Sequence, residues 1–184
     1  MTAAPAPAAV STWTIDPSHS LVEFSVRHMM VATVKGRFRS FRGTIRLDEA
    51  NPENSSVEAV IDAASIDTND EQRDAHLRSD DFLNVEKFPH ITFRSKRVEM
   101  LGQDRARVIG DLTIRDVTRE VALEVEYLGR TRDPWGKERI GFSAHTSINR
   151  HDFGVRWNAV LEAGGVVVAD TVRINLEIEA VKQD

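Results

Sequence analysis

Apolar and polar residues alternate with a period of two along most of this chain. Val22, Phe24 and Val26 alternate with Glu23, Ser25 and Arg27, and Val57, Ala59, Ile61 and Ala63 share one phase further on. Val121, Leu123, Val125 and Tyr127 repeat the pattern, as do Ile140, Phe142, Ala144, Thr146 and Ile148. Val172, Ile174, Leu176 and Ile178 close the series. Successive side chains of a strand point to opposite faces, so this pattern predicts antiparallel strands with one dry and one wet face. Parity breaks in two places. Phe38 is out of phase with Phe41, Gly43, Ile45 and Leu47, and Ile91 and Phe93 are out of phase with Val98 and Met100. Each break predicts a bulge, bend or tight turn, and such devices favour a curved, closing sheet over a flat one.

One stretch departs from the strand period. Asn69 to Leu77, followed by Asp81-Phe-Leu83, predicts a short helical insertion near residues 69–83, capped by Asn69 or Asp70 and ended by Pro89. Turn signals separate the strands at Asn51-Pro-Glu-Asn54, Leu101-Gly-Gln-Asp104 and Arg132-Asp-Pro-Trp-Gly136, and Gly164-Gly165 reads as a turn rather than a phosphate loop. The count comes to about eight strands, near the smallest barrel that either fills with side chains or holds one small ligand. The fold class is all-β, an antiparallel barrel, with an open sandwich as the alternative.

The chain of 184 residues fits one domain. Its small-residue, Pro-rich start predicts a disordered lead-in over residues 1–11 and a barrel over 12–184. That start has no basic or continuous apolar region of a secretory signal, so the expectation is a cytoplasmic protein. No apolar run approaches the roughly 20 residues of a membrane span. The net charge of -5 shows no nucleic-acid footprint, and the local cluster Lys35, Arg37, Arg39, Arg42 and Arg46 reads as a solvated strand face. With no cysteine, disulfides, Cys-ligated metals and thiol nucleophiles are excluded.

Catalytic and metal chemistry find little support. The histidines His19, His28, His76, His90, His145 and His151 show no metal-ligand spacing, and no metal ligand is assigned. Gly-x-Ser-x-Gly is absent, and no carboxylate pair stands out, so no catalytic residue is assigned. His28 continues the inward phase of Val22, Phe24 and Val26. It is either the polar contact of an apolar cavity or a strand-end histidine bonded to a loop. His145 is expected to point outward. The Asp74–His76 pair could hold a metal but more simply fixes the helix to the barrel rim. Phe24, Phe38, Phe93 and Phe142 fall on apolar strand phases, whereas Phe82, Phe88, Phe153 and Trp157 lie in connecting segments. Such aromatics either fill a solid barrel or line a hollow one.

The landmarks together resemble the YceI-like family. The matching residues include Trp13-Thr-Ile-Asp16, His19-Ser20, Phe24, His28, Lys35-Gly36, Phe38, Phe41, Gly43 and Ser65-Ile-Asp-Thr68. Arg73-Asp74, His76-Leu77, Asp81-Phe82, Phe88-Pro89 and Phe93 follow, then Gly110-Asp-Leu-Thr-Ile114, Val117-Thr-Arg119, Ile148-Asn-Arg150 and Asp152-Phe-Gly154. Each piece is weak alone; their order and spacing over Trp13 to Val181 are specific. The resemblance implies a lipocalin-like β-barrel that binds a long-chain amphiphilic lipid (a polyisoprenoid, isoprenoid quinone or fatty-acid-like molecule) for transport, storage or sequestration. It implies binding without catalysis and no required cofactor. Arg73, Asp74, His76 and Leu77 would anchor the helical insertion, with Asp74 a candidate to pair with an arginine, and Arg150 and Asp152 look similar in kind. Arg115-Asp116 stands where relatives usually carry a glycine, which alters a turn with no functional effect expected. The expected ligand-binding residues are Phe24, Val26, His28, Phe38, Phe93, Phe142 and Phe153, with His28 or an arginine near the mouth meeting a head group. A homodimer is expected. Two other readings remain at this point: an enzyme acting on such a lipid through His28 or Asp74–His76, and a filled barrel that binds only protein partners.

Overall fold

The computed structural model describes residues 10–159 and 167–184. The turn expected at Gly164-Gly165 lies outside the described residues, as do the first nine residues. The elements in chain order are β1 (Val10–Ile15), β2 (Leu21–His28), β3 (Ala32–Phe38), β4 (Phe41–Asp48), β5 (Ser56–Asp62) and β6 (Ile66–Asp67). The helix α1 (Glu71–Arg78) follows, then β7 (His90–Met100), β8 (Arg105–Ile114), β9 (Val117–Arg132), β10 (Glu138–Asn149) and β11 (Val168–Lys182). Val10 and Ser11, placed by the sequence in a lead-in over residues 1–11, already pair with Asp48 and Leu47 of β4.

The strands form one closed antiparallel meander. Three of its eight staves are broken strands. β1 and β2 both pair with β11, Trp13 opposite Lys182 and Val22 opposite Leu176. β4 and β3 lie along them, and β5 and β6 lie along those. β7, β8, β9, β10 and β11 complete the ring, and the β1–β11 pairing closes it. Closure leaves no open sandwich edge, and every strand keeps one face inward.

The parity breaks mark where the staves bend. Phe38 ends β3 and Phe41 opens β4. Between them the Arg39 N–H donates to Ser65 O at 3.1 Å and the Ser40 N–H to Ser65 Oγ at 3.1 Å, so the chain turns a corner and both phenyl groups still face inward. The second break is a bulge in β7, where the ladder to β8 slips between Ser95 and Arg97. There Gly110 lets the backbones approach: a Cβ on it would lie 2.5 Å from the Arg94 carbonyl oxygen. A further slip, between β9 and β10 at Gly141/Phe142, is not announced by the alternation.

The insertion between β6 and β7 caps one end of the barrel. Asp70 is the helix N-cap, its carboxylate accepting from the Arg73 N–H at 3.0 Å. The other end is packed around Trp13, which is fully buried with Ile140 and Ala180 and donates its indole N–H to Ser11 Oγ at 2.8 Å.

Candidate ligand-binding cavity

The inward faces do not meet. They enclose a cavity of about 760 Å³, within the range of small-molecule sites. A filled barrel is thereby ruled out as the architecture. The wall carries residues from both ends of every long strand, from Ile140 to Ile148 on β10 and from Ile178 to Val168 on β11. The eleven-residue pairing of β10 with β11 corresponds to about 25 Å of barrel axis at a typical tilt. Small residues at mid-height keep the tube open. Ala59 and Ala144 face it, and Gly36 and Gly43 stand where a Cβ would meet Phe24 at 2.4 Å and Ile15 at 2.6 Å.

All seven residues singled out from the sequence lie on this wall: Phe24, Val26, His28, Phe38, Phe93, Phe142 and Phe153. Phe24 and Phe38 form a tilted pair at 5.6 Å in the half nearer α1, and Tyr127 and Phe142 one at 5.8 Å in the other half. Phe153, 2 % exposed, is carried by a 3-10 turn after β10 and packs against Ala63, Ile91 and Leu112. His145 is exposed and absent from the wall, as the strand phase requires.

The capped end is built by side chains gripping backbone. Asp74 is buried, yet it does not pair with an arginine as expected. Its Oδ1 accepts from the Thr68 N–H at 2.9 Å and the Thr68 hydroxyl at 2.5 Å, because the first turn of α1 folds back over that residue. Arg73 donates to the Thr68 hydroxyl and carbonyl instead, each at 2.8 Å, and Arg78 donates to the carbonyls of Ala64 and Ile66. Arg73 and Asp74 thus fasten the insertion to Thr68, just after β6, and Arg78 fastens it to Ile66 of β6. The Asp74–His76 pair does not form. Residues two apart on a helix face different ways, and His76 Nε2 lies 2.8 Å from Asp81 Oδ2. The His76 ring also packs edge-on against Phe82 and Trp157, at 5.0 and 4.7 Å, and all three border the cavity. Arg115 adopts a left-handed φ of 57°, the conformation a glycine would take without strain. Its guanidinium donates to the carbonyls of Asp80 and Phe82, so this departure from the family pattern also ties the insertion to the β8–β9 turn.

Arg150 is the second gripping residue. Only 4 % exposed, it donates to the carbonyls of Val155, Trp157, Val168 and Ala169 at 2.7–3.0 Å, locking the segment after β10 against the start of β11. Burial lowers its pKa from the usual arginine range, and the charge of Asp170 opposes that shift. Asp152 is exposed and offers its backbone carbonyl to Arg119 at 3.1 Å.

One polar cluster went unnoticed in the sequence. On the outer wall Arg139 bridges Asp16 and Glu179 at 2.9 Å each and Asp133 at 2.8 Å, and His19 Nδ1 lies 2.8 Å from Asp16. Hydrogen bonds from Ser18 foremost, with His19 and Arg139, hold the Asp16 carboxyl well below the usual range against a smaller opposing effect of burial. Asp16, His19 and Glu179 could offer three atoms to a cation, but the Arg139 guanidinium already bonds both carboxylates. The cluster's only sequence signal was the Asp16–His19 spacing, since its other members come from distant strands.

A closed antiparallel barrel with a capped, hollow, apolar interior belongs to the lipocalin-like class of binding folds. The chain matches the model of the YceI-like domain over residues 13–180, and it belongs to that family. It is 38% identical over 165 residues to a UPF0312 protein of Ectopseudomonas mendocina, covering 90% of this chain and 83% of that one. Among solved structures it is similar to the YceI protein of Campylobacter jejuni, with 31% identity, a TM-score of 0.75, and coverage of 86% of this chain and 90% of the other. A polyisoprenoid binding domain from Saccharophagus degradans shares the fold, with 17% identity, a TM-score of 0.68, and coverage of 93% and 98%.

Proposed function

We propose that this protein holds one long-chain amphiphilic lipid (a polyisoprenoid, isoprenoid quinone or fatty-acid-like molecule) in the barrel, for transport, storage or sequestration. The observation that carries the reading is the cavity itself: an elongated tube walled by Phe, Val, Ile, Leu and Ala side chains. The middle of such a tube offers a polar solute few partners, while each chain carbon buried in it contributes ~0.8 kcal/mol. The polyisoprenoid-binding description of the Saccharophagus degradans domain supports the same ligand class. Polar groups border the tube toward its ends, with His28, Arg73 and His76 at the capped one. A chain inside with a head group near an end matches that distribution.

The reading is of binding without chemistry. Of the two histidines offered for catalysis, His28 stands on the cavity wall at the end of β2, and His76 is held by Asp81 and two aromatic rings, with the neighbouring Ser79 hydroxyl donating to its backbone carbonyl rather than to its ring. A direct test is titration with a fluorescent fatty acid, followed by displacement with geranylgeraniol. Saturable one-to-one binding reversed by the isoprenoid is expected. Signal that rises without saturation, or that the isoprenoid leaves untouched, would count against the reading.

A further inference from the structure

The β2–β3 hairpin ends in a tip that is unusual in both composition and backbone. Met29, Met30 and Val31 are 43 %, 60 % and 83 % exposed. Single exposed apolar residues are ordinary, but three in a row at a loop tip are not. The Val31 N–H donates to His28 O at 3.2 Å, and Met29 and Met30 between them have φ of 52° and 63°. Two successive left-handed residues make the type I′ turn, for which Asn-Gly is the favoured pair. Methionine at both positions violates the turn's steric preference and the surface's preference for polarity at once. Local departures of this kind collect at functional sites.

The tip also stands beside the cavity. Val26 and His28 carry the wall to its base, and Arg27, on the outward phase, borders the cavity as well. The neighbouring seam is loosened there: the β2–β11 ladder slips between Val168 and Val172. The Met29 N–H donates to Val167 O at 2.8 Å, which fixes the tip against that seam. Charge adds a third observation. Arg27, exposed and next to the tip, donates to the Met30 carbonyl at 3.1 Å, and the exposed Lys35 follows along β3.

We propose that Met29–Val31 is a membrane-docking tip, which seats in the boundary between head groups and acyl chains of an anionic bilayer and brings the cavity's end against the membrane. This rests on the lipid-carrier reading above. Exposed apolar side chains beside a cation are the chemistry of an interfacial anchor. Three residues are too few for a stable protein interface, which takes about 800 Å² from each partner, but they suffice for a shallow, reversible insertion.

The test is co-sedimentation with vesicles of phosphatidylglycerol and phosphatidylethanolamine, comparing the wild type with Met29→Asn/Met30→Gly/Val31→Ser. The substitutions supply the residues the turn prefers, so the variant is expected to melt no lower than the wild type, and roughly 2–4 °C higher if the strain is relieved. Its affinity for a fluorescent fatty acid is expected within twofold of the wild type. Vesicle partition is expected to fall at least about tenfold, because the inserted apolar surface is gone. Equal partition of the two proteins overturns the docking role. So does a wild type that binds the fatty acid yet ignores the vesicles, or one whose tip serves only to dimerise it. A wild type that binds no fatty acid overturns instead the carrier reading on which the proposal rests.

Discussion

If the chain of a lipid threads the barrel, an obstruction at mid-height must shorten the chain that fits. Ala144 is the position to obstruct. It lies near the middle of β10, opposite Val125 of β9 and Leu176 of β11, and all three face the cavity. Ala144→Phe adds six ring carbons that project into empty space, so the overpacking that penalises such changes in a filled core does not arise. If the ring excludes about four chain carbons at ~0.8 kcal/mol each, a long ligand loses ~3 kcal/mol, on the order of a hundredfold in Kd. A chain short enough to occupy one half of the tube loses little. Displacement titrations with a matched series, from a ten-carbon to a twenty-carbon fatty acid, read both limbs of the prediction, with the melting temperature as the control for folding. A well-folded Ala144→Phe protein that keeps wild-type affinity for the longest chain would refute the argument, because the ligand would then not be threading the barrel.

Other outcomes follow from the packing and the charges. Gly110→Ala places a methyl 2.5 Å from the Arg94 carbonyl oxygen at the β7 bulge, where backbone must move; chemical denaturation is expected to show a loss of about 1–3 kcal/mol. Asp74→Ala leaves the buried Thr68 amide and hydroxyl without their acceptor, and the same assay is expected to register about 2–4 kcal/mol, with local hydrogen exchange in α1 rising first. Asp16 has a folded-state pKa below its ordinary 3.8, so the stability it contributes is complete above about pH 4 and drains away as pH falls through the folded value. Melting curves between pH 2 and 6 are therefore expected to be flatter for Asp16→Asn than for the wild type, and an unchanged slope would remove Asp16 from the account.

The wall of the cavity was legible because strand geometry turns a period of two directly into a face. Phe24, Val26 and Phe142 could be assigned inward from their neighbours alone, and the parity break between Phe38 and Phe41 located a real corner. Whether the barrel was hollow was not legible. That depends on strand number, stagger and the small residues Ala59, Ala144, Gly36 and Gly43, whose effect appears only when opposite walls are assembled. The polar contacts were harder still. Arg139 meets a carboxylate 123 positions away, and Arg150 grips four carbonyls, for which composition carries no signal. Asp74 shows the limit from the other side. Its anchoring role was readable, but its partner was not, because a carboxylate beside an arginine in sequence can be turned by the helix toward a threonine six residues back.

The central claim is that the tube holds a lipid. Native mass spectrometry of the full chain, purified without detergent and then incubated with geranylgeraniol or a twenty-carbon fatty acid, tests it most directly. The account predicts a single discrete adduct per protein molecule, lost from Ala144→Phe while that variant still retains a ten-carbon chain. A protein that stays at its bare mass in the presence of every chain offered would contradict it.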